Sequence, residues 1–189
     1  MRAARSLLSE AREELRRRGF TLPDSIPLGV MIETPAAAVA ADTLVKDTSF
    51  FSIGTNDLVQ YTLAVDRGNA NLAQRFTALH PAVLRLIRRT VEVGEQGGLS
   101  VAVCGEMASH PLMVFALMGL GVRELSVNGR SVPLVKRVVR SVAIANARRA
   151  ALAACDAPTA EDAEQLLLAE LRAAVGDAYF LRDGLSPLG

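Results

Sequence analysis

Tryptophan is absent from this 189-residue chain, aromatic residues make up only 4% of it, and it has two cysteines and two histidines. So few rings exclude a base-stacking surface for nucleic acid. A formal net charge of +1 gives no electrostatic reason to expect nucleic acid or an anionic membrane. Cys104 and Cys155 are too few for a disulfide framework, and neither they nor His80 and His110 have the spacing of a zinc site. Long apolar runs are also missing. The longest, from Leu112 to Val122, contains Gly119 and Gly121 and is too short to span a bilayer. The amino terminus, MRAARSLLSEAREELRRRGF, is charged and amphipathic with no signal-peptide core, so a reducing, cytoplasmic setting is expected. Arginine pairs such as Arg88-Arg89 and Arg148-Arg149 recur beside apolar residues at helical intervals, the pattern of a solvated helix face.

What the chain does have is a hydrophobic half, enough for one domain with a sizeable core. The apolar period switches repeatedly along it. Residues 3–18 predict a helix closed by Gly19. Leu28–Glu33 predicts a strand, followed by a helix that starts at Pro35 and runs through the alanine-rich Ala36–Val45. Ser49–Ile53 predicts a second strand, leading through an Asn-Asp turn into a mixed region. Pro81–Val93 predicts a helix ending near Gly97-Gly98, and Leu99–Cys104 a third strand before a helix over Pro111–Met118. Glu124–Val127 predicts a fourth strand, followed by one long helix from Val132 to about Ala153. Thr159 and Asp162 have capping-box spacing at the start of a final helix.

Continuously apolar strands alternating with helices predict an α/β fold of parallel β/α units buried on both faces. The expected division is a β/α body over residues 1–153 and a helical tail over 154–189. Four such units raise a difficulty. A (β/α)₈ barrel needs eight strands over about 250 residues, whereas a doubly wound sheet places its ligand at a topological switch point. Three consecutive strands that each end in reactive residues follow the barrel habit. Half a barrel leaves two strand edges unpaired and its inner layer wet, so the chain is expected to be a fragment or to pair with a second copy.

The reactive residues sit at the strand ends: Glu33 after Gly-Val-Met-Ile, Asn56 and Asp57 after Phe-Ser-Ile-Gly-Thr, and Cys104 with Gly105 and Glu106 after Val-Ala-Val. Magnesium is usually held by one or two carboxylates plus substrate oxygens and water, which Glu33 and Asp57 satisfy; each would equally serve as a cap for the following helix. Arg67, beside Gly68, offers a bidentate clamp for phosphate or carboxylate, or a surface ion pair with Asp66. Cys104 is either a small core hydrophobe or, because an ordinary thiol carries its proton at neutral pH, a general acid facing a ligand. His80 and His110, each preceding a proline at a helix start, read as capping or loop residues.

The segments GVMIETPAAA, FFSIGTNDLVQYTLAVDRGN and VCGEMA closely resemble the carboxy-terminal, phosphoenolpyruvate-binding domain of Enzyme I of the bacterial sugar phosphotransferase system. The resemblance runs from about residue 3 to residue 175 and includes SVPLVKRVVRS. It implies the latter half of a phosphoenolpyruvate-binding (β/α)₈ barrel, with Glu33 and Asp57 holding Mg²⁺ and Asn56, Asp57 and Arg67 binding the substrate phosphate. Cys104 would protonate the methylene carbon of the enolate, giving pyruvate. It further implies a homodimer, a phosphohistidine domain as phosphoryl acceptor, and a small HPr-type carrier beyond it. The lone chain, lacking the arginines of the family's earlier strands, is expected to be nearly inactive. His110 and the Asn128-Gly129-Arg130 segment depart from the family pattern. Two other origins fit the same motifs: a fragment of a pyruvate phosphate dikinase or phosphoenolpyruvate synthase, and a non-catalytic half-barrel that dimerises. Tyr61–Asn69 favours Enzyme I over the dikinases.

Overall fold

A computed structural model describes residues 1–66 and 77–176. Its centre is a parallel sheet of four strands, β1 (Val30–Ile32), β2 (Phe50–Gly54), β3 (Ser100–Cys104) and β4 (Glu124–Leu125), lying side by side in chain order. No switch in strand order occurs within this sheet, so the ligand crevice of a doubly wound fold has no place in it.

Every strand is followed by helix. After β1 come α2 (Pro35–Val39) and α3 (Ala41–Leu44), with Thr34 accepting the Ala37 N–H at 3.2 Å as the cap. The helix expected over 36–45 is therefore broken at Ala40. α4 (Thr55–Leu63) follows β2 directly, replacing the expected turn and mixed region. α5 (Pro81–Gln96) opens with Pro81 and is capped by His80, whose Nδ1 accepts the Ala82 N–H at 3.1 Å. α6 (Pro111–Gly119) is buried on nearly all sides. Before β1, α1 (Arg2–Arg17) ends in a paired-bond cap: the Gly19 N–H reaches the Arg16 carbonyl and the Phe20 N–H the Leu15 carbonyl. Gly19 holds φ +84° there, as the motif requires.

The long helix expected from residue 132 to about 153 is two helices, α7 (Val132–Ser141) and α8 (Ile144–Cys155), with Val142 extended between them. The cause is a phase slip in the apolar stripe. Val135, Val138 and Val142 lie on one face, and 3.6-residue spacing carries that face next to Arg149. The residues buried instead are Ala147, Ala150, Ala151 and Ala154. Breaking the helix lets both stripes face inward, while Arg149 stays outside to meet Glu170 at 2.8 Å. α8 then approaches α6 so closely that a Cβ on Gly119 would lie 2.1 Å from the Ala147 carbonyl oxygen. Finally α9 (Ala160–Val175), capped by Thr159, places Ala163, Leu167 and Leu171 in the same core.

All this covering lies on one side of the sheet. Ile32, Phe51, Ile53, Val101 and Val103 point into the helical layer, which supplies Leu84, Ile87, Val91 and Phe115, and are buried. The alternate residues Met31, Ser52, Gly54, Ala102 and Cys104 point the other way and are only partly covered, Met31 remaining 45% exposed. Strands expected to be buried on both faces are thus buried on one, although parallel sheets ordinarily have both faces covered.

Candidate functional site

Register brings the strand ends level. Ile32 pairs with Ile53, Gly54 with Cys104 and Val103 with Leu125, so Glu33, Gly54, Cys104 and Ser126 share one row at the carboxyl edge. Gly54 is the residue before α4, and Thr55, Asn56 and Asp57 form that helix's first turn. The free N–H groups and positive dipole end of such a turn favour negative charge.

Two hydrogen bonds clasp this turn to the next strand end. Thr55, fully buried, donates its hydroxyl to the Cys104 carbonyl at 2.9 Å. Asn56 accepts the Glu106 N–H on Oδ1 at 3.2 Å. That bond fixes the amide orientation and leaves the Asn56 NH₂ group as a donor for something else. The intervening Gly105 has φ +104°, and a Cβ there would lie 2.5 Å from the Thr55 hydroxyl oxygen. Only glycine fits both constraints.

The Cys104 sulfur lies on the open face, 3.5 Å from the Ile53 carbonyl oxygen, 3.7 Å from Ser52 Oγ and 3.8 Å from Met31 Sδ. Both thiols are free, but Cys104 is only half-buried where Cys155 is buried. Burial pushes the Cys155 thiol up to about 11, so that residue is an inert part of the core.

Glu33 reaches across the β2 terminus: its Oε2 lies 3.1 Å from where a Gly54 Cβ would stand. The missing side chain gives the carboxylate its space. Among the described residues neither Glu33 nor Asp57 has a hydrogen-bond or ion-pair partner. No group of three or more His, Cys, Asp and Glu side chains able to hold a metal occurs among them either. Two hard, uncommitted oxygen donors without a fuller protein cage suit Mg²⁺, which keeps water and substrate ligands.

A cleft of about 610 Å³ opens beside Cys104, lined also by Asn56, Gly105, Ser109, His110 and Asn128. The His110 side chain makes no cap bond to α6, which leaves the loop role of the two expected for it; its Nδ1 is enclosed without a partner. Burial lowers its pKa, favouring the neutral imidazole. Arg67, expected to clamp phosphate, lies outside the described residues.

Residues 1–144 match the family described as PEP-utilising enzyme, PEP-binding domain. The chain belongs to this family. It is similar to the phosphoenolpyruvate-protein phosphotransferase of Haemophilus influenzae, with 40% identity over 167 residues, covering 88% of this chain and 29% of that protein. The protein of the same name from Geobacillus stearothermophilus is 40% identical over 161 residues, 85% of this chain and 28% of the relative. A multiphosphoryl transfer protein of Xanthomonas campestris pv. campestris is 46% identical over 141 residues, 75% of this chain and 17% of the relative. The chain thus spans less than a third of the length of each of these relatives, which are phosphoryl-transfer proteins by name. No helix among the described residues is long and apolar enough to cross a membrane.

The residues that sequence reasoning passed over in this PEP-binding domain are Thr55, Ser52 and Met31. Ser52 alternates with Phe51 and Ile53, so strand period alone puts it on the side opposite the core, where Cys104 also points. Thr55 gave no such signal, because its partner is a backbone carbonyl 49 residues away.

Proposed function

We propose that this chain is the metal- and phosphate-binding half of the phosphoenolpyruvate site of a phosphoenolpyruvate-protein phosphotransferase, built as the latter half of a (β/α)₈ barrel. The observation that carries it is the clasp between the Asn56 turn and the Cys104 strand end, with Glu33 alongside in the same row. Those contacts put an anion-binding helix start, an oriented amide donor, a free carboxylate and a thiol on one rim. The single covered face of the sheet supports the half-barrel, since the open face, lined by small residues and Met31, is then the barrel interior.

In this reading Glu33 and Asp57 are the residues that would hold Mg²⁺. The ion, when bound, supplies charge stabilisation to the departing phosphoryl group. Asn56 donates its NH₂ to the phosphate, joined by Arg67. Cys104 then gives its proton to the methylene carbon of the enolate. The carbon–hydrogen bond forms, pyruvate leaves, and the thiolate regains a proton from solvent. The phosphoryl group goes to a histidine on a separate domain and from there to an HPr-type carrier in the cytoplasm. Two copies of the chain pair, and the isolated chain, holding half the barrel, has little turnover. The named relatives favour this reading over a dikinase fragment.

The test is a chimera that completes this chain with the part of the Haemophilus influenzae relative it does not cover, assayed for pyruvate release from phosphoenolpyruvate with Mg²⁺. Turnover that depends on Glu33 and Asp57 supports the proposal. A folded chimera that neither binds nor turns over phosphoenolpyruvate contradicts it.

A further inference from the structure

Proton delivery from a thiol leaves a charge behind. The Cys104 S–H bond breaks as the methylene carbon–hydrogen bond forms, and the S–H electron pair stays on sulfur as a thiolate. That sulfur is half-buried, so a charge on it needs a hydrogen-bond donor in place of lost water.

Met31, Ser52 and Ile53 converge on the one sulfur atom. The Ile53 carbonyl oxygen lies 3.5 Å from it and Met31 Sδ 3.8 Å. Both are acceptors, able to take the thiol proton but with nothing to give a thiolate. Ser52 Oγ, 3.7 Å away, is the donor. Among the described residues no other group donates to the sulfur, and the Ser52 hydroxyl has no other partner. The carbonyl and the thioether therefore favour the thiol, and Ser52 alone favours the thiolate.

Strand register makes this arrangement. Ser52 pairs with Met31 on one side and Ala102 on the other, whereas Gly54 pairs with Cys104. Residues on one face of a strand are two apart, so Ser52 stands one step below the rim row of Glu33, Gly54 and Cys104. Gly54 puts no side chain beside Cys104, and the sulfur takes its neighbours from the row below. From there the hydroxyl reaches the thiol without occupying the proposed phosphate and metal positions at the rim.

We propose that Ser52 is a positioning residue for the proton transfer: its hydroxyl donates to the Cys104 thiolate as the new carbon–hydrogen bond forms, and holds it until solvent returns the proton. This role rests on the reading of Cys104 as proton donor; the contact between Ser52 and the sulfur does not.

Iodoacetamide attacks the thiolate, so alkylation of Cys104 near neutral pH probes the contact with no substrate present. In the full chain, with buried Cys155 as internal reference, Ser52→Ala should slow alkylation about threefold. One hydrogen bond to a charged group is worth about tenfold in thiolate, and the greater nucleophilicity of the unsupported thiolate returns about half of that on a logarithmic scale. Ser52→Thr keeps the hydroxyl and should restore the parent rate, separating lost donation from altered packing. In the chimera completed with the Haemophilus influenzae relative, Ser52→Ala should lower kcat for pyruvate formation about tenfold, at unchanged phosphoenolpyruvate–Mg²⁺ affinity. It should cost nothing further once Cys104 is replaced by alanine, because the two groups act as one unit. Parent rates of alkylation and of pyruvate formation in Ser52→Ala overturn the proposal, as does an equal loss with and without the thiol. Slowed alkylation in Ser52→Ala, with pyruvate formed at the parent rate in Cys104→Ala, overturns the proton-donor reading and this role with it, while the contact stands.

Discussion

The hydroxyl of Thr55 donates to the carbonyl of Cys104 at 2.9 Å, tying the first turn of α4 to the end of β3. Removing it in Thr55→Val keeps the shape and takes the side-chain donor from a part-buried carbonyl. The expected loss is about 1–3 kcal/mol of stability, read from the urea midpoint at unchanged slope. Thr55→Ser should recover most of it. A Thr55→Val chain as stable as the parent would show the clasp to be unimportant.

Gly105→Ala meets two obstacles together, a φ of +104° and a Cβ 2.5 Å from the Thr55 hydroxyl oxygen. Destabilisation above about 1 kcal/mol is expected. The substitution should also change the rate at which iodoacetamide alkylates Cys104, with buried Cys155 as the unreactive internal reference. Unchanged stability and alkylation would contradict the described turn.

His110 predicts a pH dependence. Its folded pKa lies below the ordinary value of 6.5 because burial disfavours the charged ring. Around and below 6.5 the unfolded chain therefore binds more protons, and the stability gained from neutral His110 falls as pH drops through that value. The difference in unfolding free energy between parent and His110→Phe, measured from pH 8 down to pH 5, should move in favour of the variant as the solution becomes acidic. A difference constant with pH removes His110 from the account.

The proposed half-barrel would leave its inner face, with Met31 45% exposed, and two strand edges uncovered, so sedimentation should show self-association. For the same reason, mixing the isolated chain with an intact phosphohistidine domain, phosphoenolpyruvate and Mg²⁺ should yield almost no phosphohistidine. A stable monomer, or ready phosphorylation, would count against the half-barrel.

Much of the fold was legible because the local signals agree. Pro35, Pro81 and Pro111 each mark a helix start, whereas the alternation of Phe51 and Ile53 with Ser52, the sign of a half-buried strand, was passed over in favour of strands buried on both faces. The shared edge was legible because strand ends carry polar residues in a fixed order, Glu33, Asn56, Asp57 and Cys104, and the roles given to them are the proposed ones. Two things were not legible. The break at Val142 has no Gly or Pro to announce it and emerges only when the valine stripe is phased against the alanines of α8. The orientation of Asn56 depends on which backbone group takes its carbonyl oxygen, a matter of tertiary contact.

The central claim is that Cys104 delivers a proton to carbon beside a phosphate station built from Asn56 and Asp57. Its most direct test is Cys104→Ala in the completed chimera, following pyruvate formation in D₂O alongside phosphoenolpyruvate–Mg²⁺ affinity. The expected result is retained binding with pyruvate formation reduced by at least about 100-fold, the usual scale of a lost general acid. Pyruvate formed at the parent rate, with deuterium entering its methyl group as before, would contradict the account.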